Sequence, residues 1–499
     1  MINIFSEFSY IGTAVSMILN PMVLVILVIG VILGMCVGAI PGLTATMTMA
    51  LLLGFTYGLD TNLAIAALIG VYIAAIYAGG ITATMINIPG TPAAAATAIE
   101  GFQLARQGRG RQSIMLTTIS SVIGAFIGSV ICYILIPFVA YIALKFSSWH
   151  TFIVAVTGVL ICGSLSGSSP LKGWISGIVG ILLSLVGIEE LFGHARFAFG
   201  NTNLMGGLGM LPAMVGLFGL AEVLHVLKEE KPYTIPTDIS AISGKRFNPF
   251  PILKKYFRTI IRSSFIGMGV GLIPGIGESL SCWVSYDAAR RGSKEKEKFG
   301  KGHYEGVIAS ETANNATAGG ALIPMLTLGI PGSAPTAILM GAMLLHGLRP
   351  GPLLIKDFPG EISYIFLLVI LSAVLMGVFG LVAVKGFVKL LSIDRRILLP
   401  IVVVFCVIGC YGSKLLFFDV WVLLFFGILG ALMKAHNYPV APMVLGVILG
   451  KLIDTNLRFA LVASGGSVSK LTFDPISIVL IIVFILSVIY TSKGVKETE

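Results

Sequence analysis

Apolar runs of membrane-spanning character follow one another along the chain, at about 112–137, 150–166, 171–188, 206–227, 362–384, 397–410, 415–434, 439–452 and 475–491. They are continuous rather than alternating, which predicts helices and argues against a β-barrel. Four further apolar segments, at 21–57, 62–100, from about 258 to the basic loop 290–301, and 303–346, are each interrupted by an Ile-Pro-Gly string. The strings are Ile40-Pro41-Gly42, Ile88-Pro89-Gly90, Ile273-Pro274-Gly275 and Ile330-Pro331-Gly332. Proline lacks an amide hydrogen and glycine tolerates conformations other residues resist, so each string predicts a broken helix or a re-entrant turn. The glycine pairs Gly79-Gly80 and Gly319-Gly320 predict additional breaks. Broken backbone at membrane depth is tolerated only where it is buried in protein or lines a cavity.

The interruptions come in the same order in each half. Gly34–Gly42 and Gly267–Gly275 differ only at Cys36 against Gly269 and at Ala39 against Leu272. In the second string of each half, polar residues sit near the Pro-Gly: Asn87 in one, and Glu311, Asn314, Asn315 and Thr317 further upstream in the other. The chain therefore divides into a first membrane repeat at 1–227, a hydrophilic linker at 228–257, and a second membrane repeat at 258–499.

Composition places the whole chain in a bilayer: 56% of its 499 residues are hydrophobic and only 11% are charged. The formal charge of +10 would suggest nucleic acid in a soluble protein. Here 21 of the 33 Lys and Arg fall in Arg106–Arg111, Lys228–Arg262, Arg290–Lys301 and Lys385–Arg396. Such clusters mark cytoplasmic loops, and no nucleic-acid partner is expected. No Lys or Arg occurs in the first 20 residues, so the first span is expected to be retained rather than cleaved as a signal peptide. The loop 57–62 has no basic residue, whereas its counterpart 290–301 has six. The matching units then point opposite ways, which predicts an all-α polytopic fold of two inverted-topology repeats with a site near mid-membrane. The six cysteines lie in apolar segments and read as small buried thiols.

Candidate chemistry follows from the turns. Each is followed by a helix-starting run, and Thr44, Thr91 and Ser333 are placed as N-caps, with Ser279 and Glu278 slightly later in the third. Free amides and the positive end of the helix dipole suit an anion. The predicted substrate-binding residues are Gly42, Thr44, Gly90, Thr91, Gly275, Ser279, Gly332 and Ser333. Asn87, Asn314, Asn315 and Thr317, with unwound carbonyls, are predicted oxygen donors for a coupling cation, Asn87, Asn314 and Asn315 being candidate Na⁺ ligands. Glu311 precedes Asn314 and Asn315 by one helical turn and is a candidate to carry a proton. Glu100, near Arg106, and Asp287, beside Arg290 and Arg291, read as helix-end carboxylates paired with loop bases. No other cofactor is expected.

Longer strings extend these motifs: Gly38-Ala39-Ile40-Pro41-Gly42, Ile86-Asn87-Ile88-Pro89-Gly90-Thr91-Pro92, Phe299-Gly300-Lys301-Gly302, Glu311-Thr312-Ala313-Asn314-Asn315-Ala316-Thr317-Ala318-Gly319-Gly320, Thr327-Leu328-Gly329-Ile330-Pro331-Gly332-Ser333 and His346-Gly347-Leu348-Arg349-Pro350-Gly351-Pro352. In these the chain resembles the large membrane subunit of the tripartite tricarboxylate transporters. The resemblance implies a multi-pass permease of the bacterial inner membrane. It would work with a small membrane subunit and a periplasmic solute-binding protein, importing a di- or tricarboxylate on an ion gradient. The absence of G-x-x-x-x-G-K-[ST] agrees that ATP is not the energy source.

Two other classes remain open from sequence. An intramembrane aspartyl protease would use Tyr286-Asp287 and Gly277-Glu278, but both lie on one segment and the second acid is Glu. An organic-anion channel would conduct without saturation. A secondary transporter, not an enzyme, is the reading that accounts for four repeated turns.

Overall fold

The computed structural model describes residues 4–40, 43–165, 169–228, 247–275, 277–382, 386, 395–467, 471 and 474–496. It is 81% helical, and its single described sheet is a two-stranded hairpin pairing Gly187 with Arg196 and Ile188 with Ala195. Among the described residues, seven helices are long and apolar enough to cross a membrane. Much of the linker and of the Lys385–Arg396 cluster, together with Pro41 and Gly42, lies outside the described residues.

In the first half the main helices are α1 (Pro21–Gly38), α2 (Ala45–Thr56), α3 (Thr61–Ile86), α4 (Ala95–Leu104), α5 (Gly110–Ala143), α6 (Ser148–Leu165), α7 (Pro170–Ser184) and α8 (Met210–Leu227). In the second half they are α9 (Phe257–Gly271), α10 (Gly277–Gly292), α11 (Tyr304–Leu328), α12 (Ala334–Leu345), α13 (Glu361–Val382), α14 (Arg395–Lys414), α15 (Phe417–Ala435), α16 (Val440–Ala463) and α17 (Pro475–Lys496). The breaks between α1 and α2, α3 and α4, α9 and α10, and α11 and α12 fall at the four Pro-Gly strings.

The glycine pairs do not break helices. α3 runs unbroken through Gly79-Gly80, and α11 through Gly319-Gly320. Their role is close packing: a Cβ at Gly320 would lie 2.5 Å from the Met268 carbonyl oxygen, and one at Gly319 would lie 2.9 Å from the Ser129 amide nitrogen. An isolated glycine costs a helix only about 1 kcal/mol, which burial of both helix faces outweighs. The carbonyls around Asn314, Asn315 and Thr317 are therefore helical rather than unwound, and Thr317 donates its hydroxyl to the Ala313 carbonyl (2.7 Å).

Packing recurs between the halves. α1 lies on α3 and α9 lies on α11. A Cβ at Gly34 would meet the Val71 carbonyl oxygen and one at Gly38 that of Ala75, each at 2.6 Å; Gly267 and Gly271 stand likewise against Ala313 and Thr317. A shift of 233 residues carries Gly34 and Gly38 onto Gly267 and Gly271, while a shift of 242 carries Val71 and Ala75 onto Ala313 and Thr317. The second shift also carries one backbone bond onto another: Gly90 N–H donates to the Gly79 carbonyl, and Gly332 N–H to that of Ala321, both at 3.3 Å. The halves also interlock, α5 packing on α11 and α13 on α3, with α6 and α7 against α16 and α8 against α15.

Candidate functional site

The four turns meet. The Gly332 carbonyl accepts from the Gly275 amide (3.0 Å), joining the third turn to the fourth. Gly90 sits against the Gly38 carbonyl, joining the second to the end of α1. α2 packs on α12, and α10 packs on the short 3₁₀ turn Pro92–Ala94 that leads into α4. The N-termini of all four half-helices thus share one neighbourhood.

Their caps differ. Thr44 accepts from the Met47 amide (3.2 Å) and starts α2. Ser333 starts α12 in a capping box: its own amide donates to Thr336 Oγ1 (2.8 Å), and the Thr336 amide donates back to Ser333 Oγ (3.4 Å). Thr91 makes no such cap, because Pro92 opens a 3₁₀ turn there instead of an α-helix. Its hydroxyl is buried and has no partner among the described residues. Ser279 is exposed in the first turn of α10. Gly42 lies outside the described residues.

The third turn supplies a carboxyl group instead of a hydroxyl. Glu278 is 6% exposed and accepts a 2.5 Å hydrogen bond from the Tyr72 hydroxyl of α3. That hydroxyl lies 3.4 Å from Ser333 Oγ. Tyr72 was missed in the sequence. The signal that finds it is the alignment of the Pro-Gly strings, which sets Tyr72 opposite Asn314.

Beside the turns, α11 carries a row of buried polar groups. Glu311 is fully buried and accepts from Thr97 Oγ1 (2.6 Å) and Ser121 Oγ (3.0 Å), with Gly80 leaving it room. Asn315 donates to the Glu311 carbonyl (3.1 Å), but its Oδ1 has no partner among the described residues. Both amide atoms of Asn314 are likewise buried and unpartnered, as are Thr312 Oγ1 and, on facing α5, Thr117, Ser120 and Ser129. Each buried polar group left unpaired costs about 1–3 kcal/mol. Asn87 is not brought into this row. It is exposed and terminates α3 in the left-handed region (φ 56°), the role Gly329 has for α11 (φ 69°).

A family model described as the tripartite tricarboxylate transporter TctA family matches residues 24–445. The chain belongs to that family. A relative in Agrobacterium vitis, an uncharacterized 52.8 kDa protein in the TAR-I ttuC' 3' region, is 36% identical over 94% of this chain and 93% of its own length. Another uncharacterized protein of the same organism, in the TAR-II ttuC' 3' region, is 36% identical over 42% of this chain and 87% of its own length. No solved structure matches. This TctA-family chain is a multi-pass membrane protein of the tripartite tricarboxylate transporter class.

Its other acids have separate partners. Asp287 pairs with Arg291 at the surface (2.7 Å), as its spacing suggests. Glu278 is held by Tyr72, so these two acids do not form the dyad an aspartyl protease needs. Among the described residues Glu100 is not paired with a loop base. Its carboxylate accepts from the Gly300, Gly302 and His303 amides (2.5, 2.8 and 2.7 Å) and from the Tyr286 hydroxyl (2.8 Å). Backbone amides reach it because the Gly300 and Gly302 φ angles of 82° and 91° turn the loop inward. This clamp ties the arm of the second turn to both arms of the second-half hairpins.

Proposed function

We propose that the chain is the permease of a binding-protein-dependent tripartite transporter, importing a di- or tricarboxylate across the bacterial inner membrane on a Na⁺ or proton gradient. The observation that carries this reading is the meeting of four half-helix N-termini beside the buried Asn314 amide and Asn315 Oδ1, which have no partner among the described residues. Helix N-termini hold a carboxylate without a buried guanidinium. Thr44, Gly90, Thr91, Gly275, Gly332 and Ser333 would frame the anion, with Gly42 and Ser279 at the edges. Glu311 and the free Oδ1 of Asn315 would serve the coupling ion, carboxylate and amide oxygens being suitable for Na⁺ and the carboxyl for a proton. Thr317 and Asn87 would join only by leaving their present arrangements. The two halves would be inverted in the membrane, and the small membrane subunit and a periplasmic solute-binding protein would complete the system.

The test is reconstitution of the chain with both partners in proteoliposomes. Radiolabelled carboxylate should accumulate above its external concentration when a Na⁺ or proton gradient is imposed. Uptake that proceeds equally without either gradient contradicts the reading.

A further inference from the structure

The shifts that superpose the packing of the two halves also pair their polar groups. The 242-residue shift carries Tyr72 onto Asn314 and Thr91 onto Ser333, as it carries Gly79 onto Ala321 and Gly90 onto Gly332. The 233-residue shift carries Ala45 onto Glu278. In one hub the set is Tyr72, Glu278 and Ser333, and a carboxyl group belonging to the chain itself sits at the start of α10. The shifts give as the matching set Asn314, Ala45 and Thr91, Ala45 opening the twelve-residue helix α2. There the acid is replaced by a methyl group.

The hydrogen-bonding state of the two sets differs accordingly. The Tyr72 hydroxyl is bonded to Glu278, and Ser333 is engaged in its capping box. Thr91 Oγ1, on a residue 4% exposed, has no partner among the described residues. Neither Oδ1 nor Nδ2 of Asn314 has one either, on a residue 0% exposed. Asparagine is also too short to reach across as Tyr72 does. Groups of this kind are kept buried where a ligand completes them.

We propose that Asn314, Thr91 and the N-terminus of α2 form a subsite for one carboxylate group of the substrate, the counterpart of the hub in which Glu278 already supplies that group. The Asn314 amide and the Thr91 hydroxyl donate to it, and the helix N-terminus balances its charge. Glu278 is then an internal copy of the substrate's own contact, so Gly275, Gly332 and Ser333 border the substrate while the carboxylate group itself is taken at the other hub. The inference rests on the carboxylate-transport reading and deepens it.

The experiment is calorimetric titration of the full chain in lipid nanodiscs with succinate, tricarballylate and the fully amidated form of each. The unaltered chain should prefer each acid to its full amide by about tenfold or more, since an amide gives up the charge-assisted bonds. Thr91→Val and Asn314→Leu keep side-chain shape and should bring that preference close to one. Ala45→Glu installs an internal carboxylate in the hub of Thr91 and Asn314 and should weaken both acids by about a hundredfold, the scale of a like charge about 6 Å away at an effective dielectric of about 20. An acid-to-amide preference unchanged in Thr91→Val and Asn314→Leu overturns the subsite while leaving carboxylate transport standing. An unaltered chain that binds neither acid overturns both. Thr91→Val tests the proposal even where Ala45→Glu does not fold.

Discussion

The two hairpin pairs are built on one packing scheme and finished differently. In both, a glycine-lined helix lies on the carbonyls of a long helix, and a Pro-Gly turn folds back with its amide on that long helix. In the second-half hub the buried polar side chains are answered: Tyr72 bonds Glu278, and Ser333 and Thr336 cap α12 reciprocally. In the first-half hub Thr91 neither caps nor bonds, and Asn314 offers four hydrogen-bonding sites on its nitrogen and oxygen to no described partner. The shared part is scaffold, fixed by close approach that only glycine permits. What differs is chemistry, and there stability has been given up.

Glu311→Gln is the change expected to matter most. It preserves shape and can still bond Thr97 and Ser121, yet it removes the ionisable carboxyl group of α11. Gradient-driven uptake should fall by about a hundredfold or more, with carboxylate binding nearly kept. Unchanged uptake would remove Glu311 from ion coupling.

Glu100→Ala asks whether the hubs need the rim clamp to stay together. Three backbone amides and the Tyr286 hydroxyl would lose their acceptor, and about 3 kcal/mol of stability should go, read from thermal unfolding in detergent. A loss under about 0.5 kcal/mol would mean the loop finds water instead.

The comparison itself is tested by opposite signs. Tyr72→Phe removes a satisfied hydroxyl and strands Glu278, so it should destabilise the ligand-free chain by about 1–2 kcal/mol. Asn314→Leu removes an unsatisfied amide and should stabilise it by about 1 kcal/mol. Equal signs would mean the two hubs are not differently satisfied.

Glu295, on the charged rim of the second half, should give the smallest effect. Lys298, Lys255, His303 and Tyr256 hold its carboxyl well below the usual carboxylate range. A depressed folded value adds stability that is present above the unfolded value, about 4.5, and is lost as pH falls through the folded one. Glu295→Gln should thus lower stability slightly at neutral pH, with the gap to the unaltered chain closing only in strong acid. Because the side chain is partly exposed, salt should shrink the effect.

Much of this architecture is legible in the sequence. Continuous apolar runs give an all-α membrane chain, and four Ile-Pro-Gly strings give four breaks and their pairing. The breaks expected at Gly79-Gly80 and Gly319-Gly320 are absent, because a glycine pair weakens a helix only slightly and these helices are packed on every side. Alignment by the glycine pairs is also two residues out; the backbone bonds pair Gly79 with Ala321. Tyr72 looks like another apolar aromatic until its partner on a helix 206 residues away is placed. Glu100 lies beside Arg106 in sequence, and only the fold shows that glycine amides from the other half take it. Local pattern records which segments bend. Which polar groups are answered depends on long-range neighbours.

The most direct measurement is an electron cryomicroscopy map of the full chain in nanodiscs with a saturating carboxylate. One carboxylate group of the ligand should appear between Thr91 and Asn314 at the start of α2, with Glu278 still bonded to Tyr72. Ligand density away from all four Pro-Gly turns, in a map where Thr91 and Asn314 are bridged to each other or to other side chains, would contradict the account.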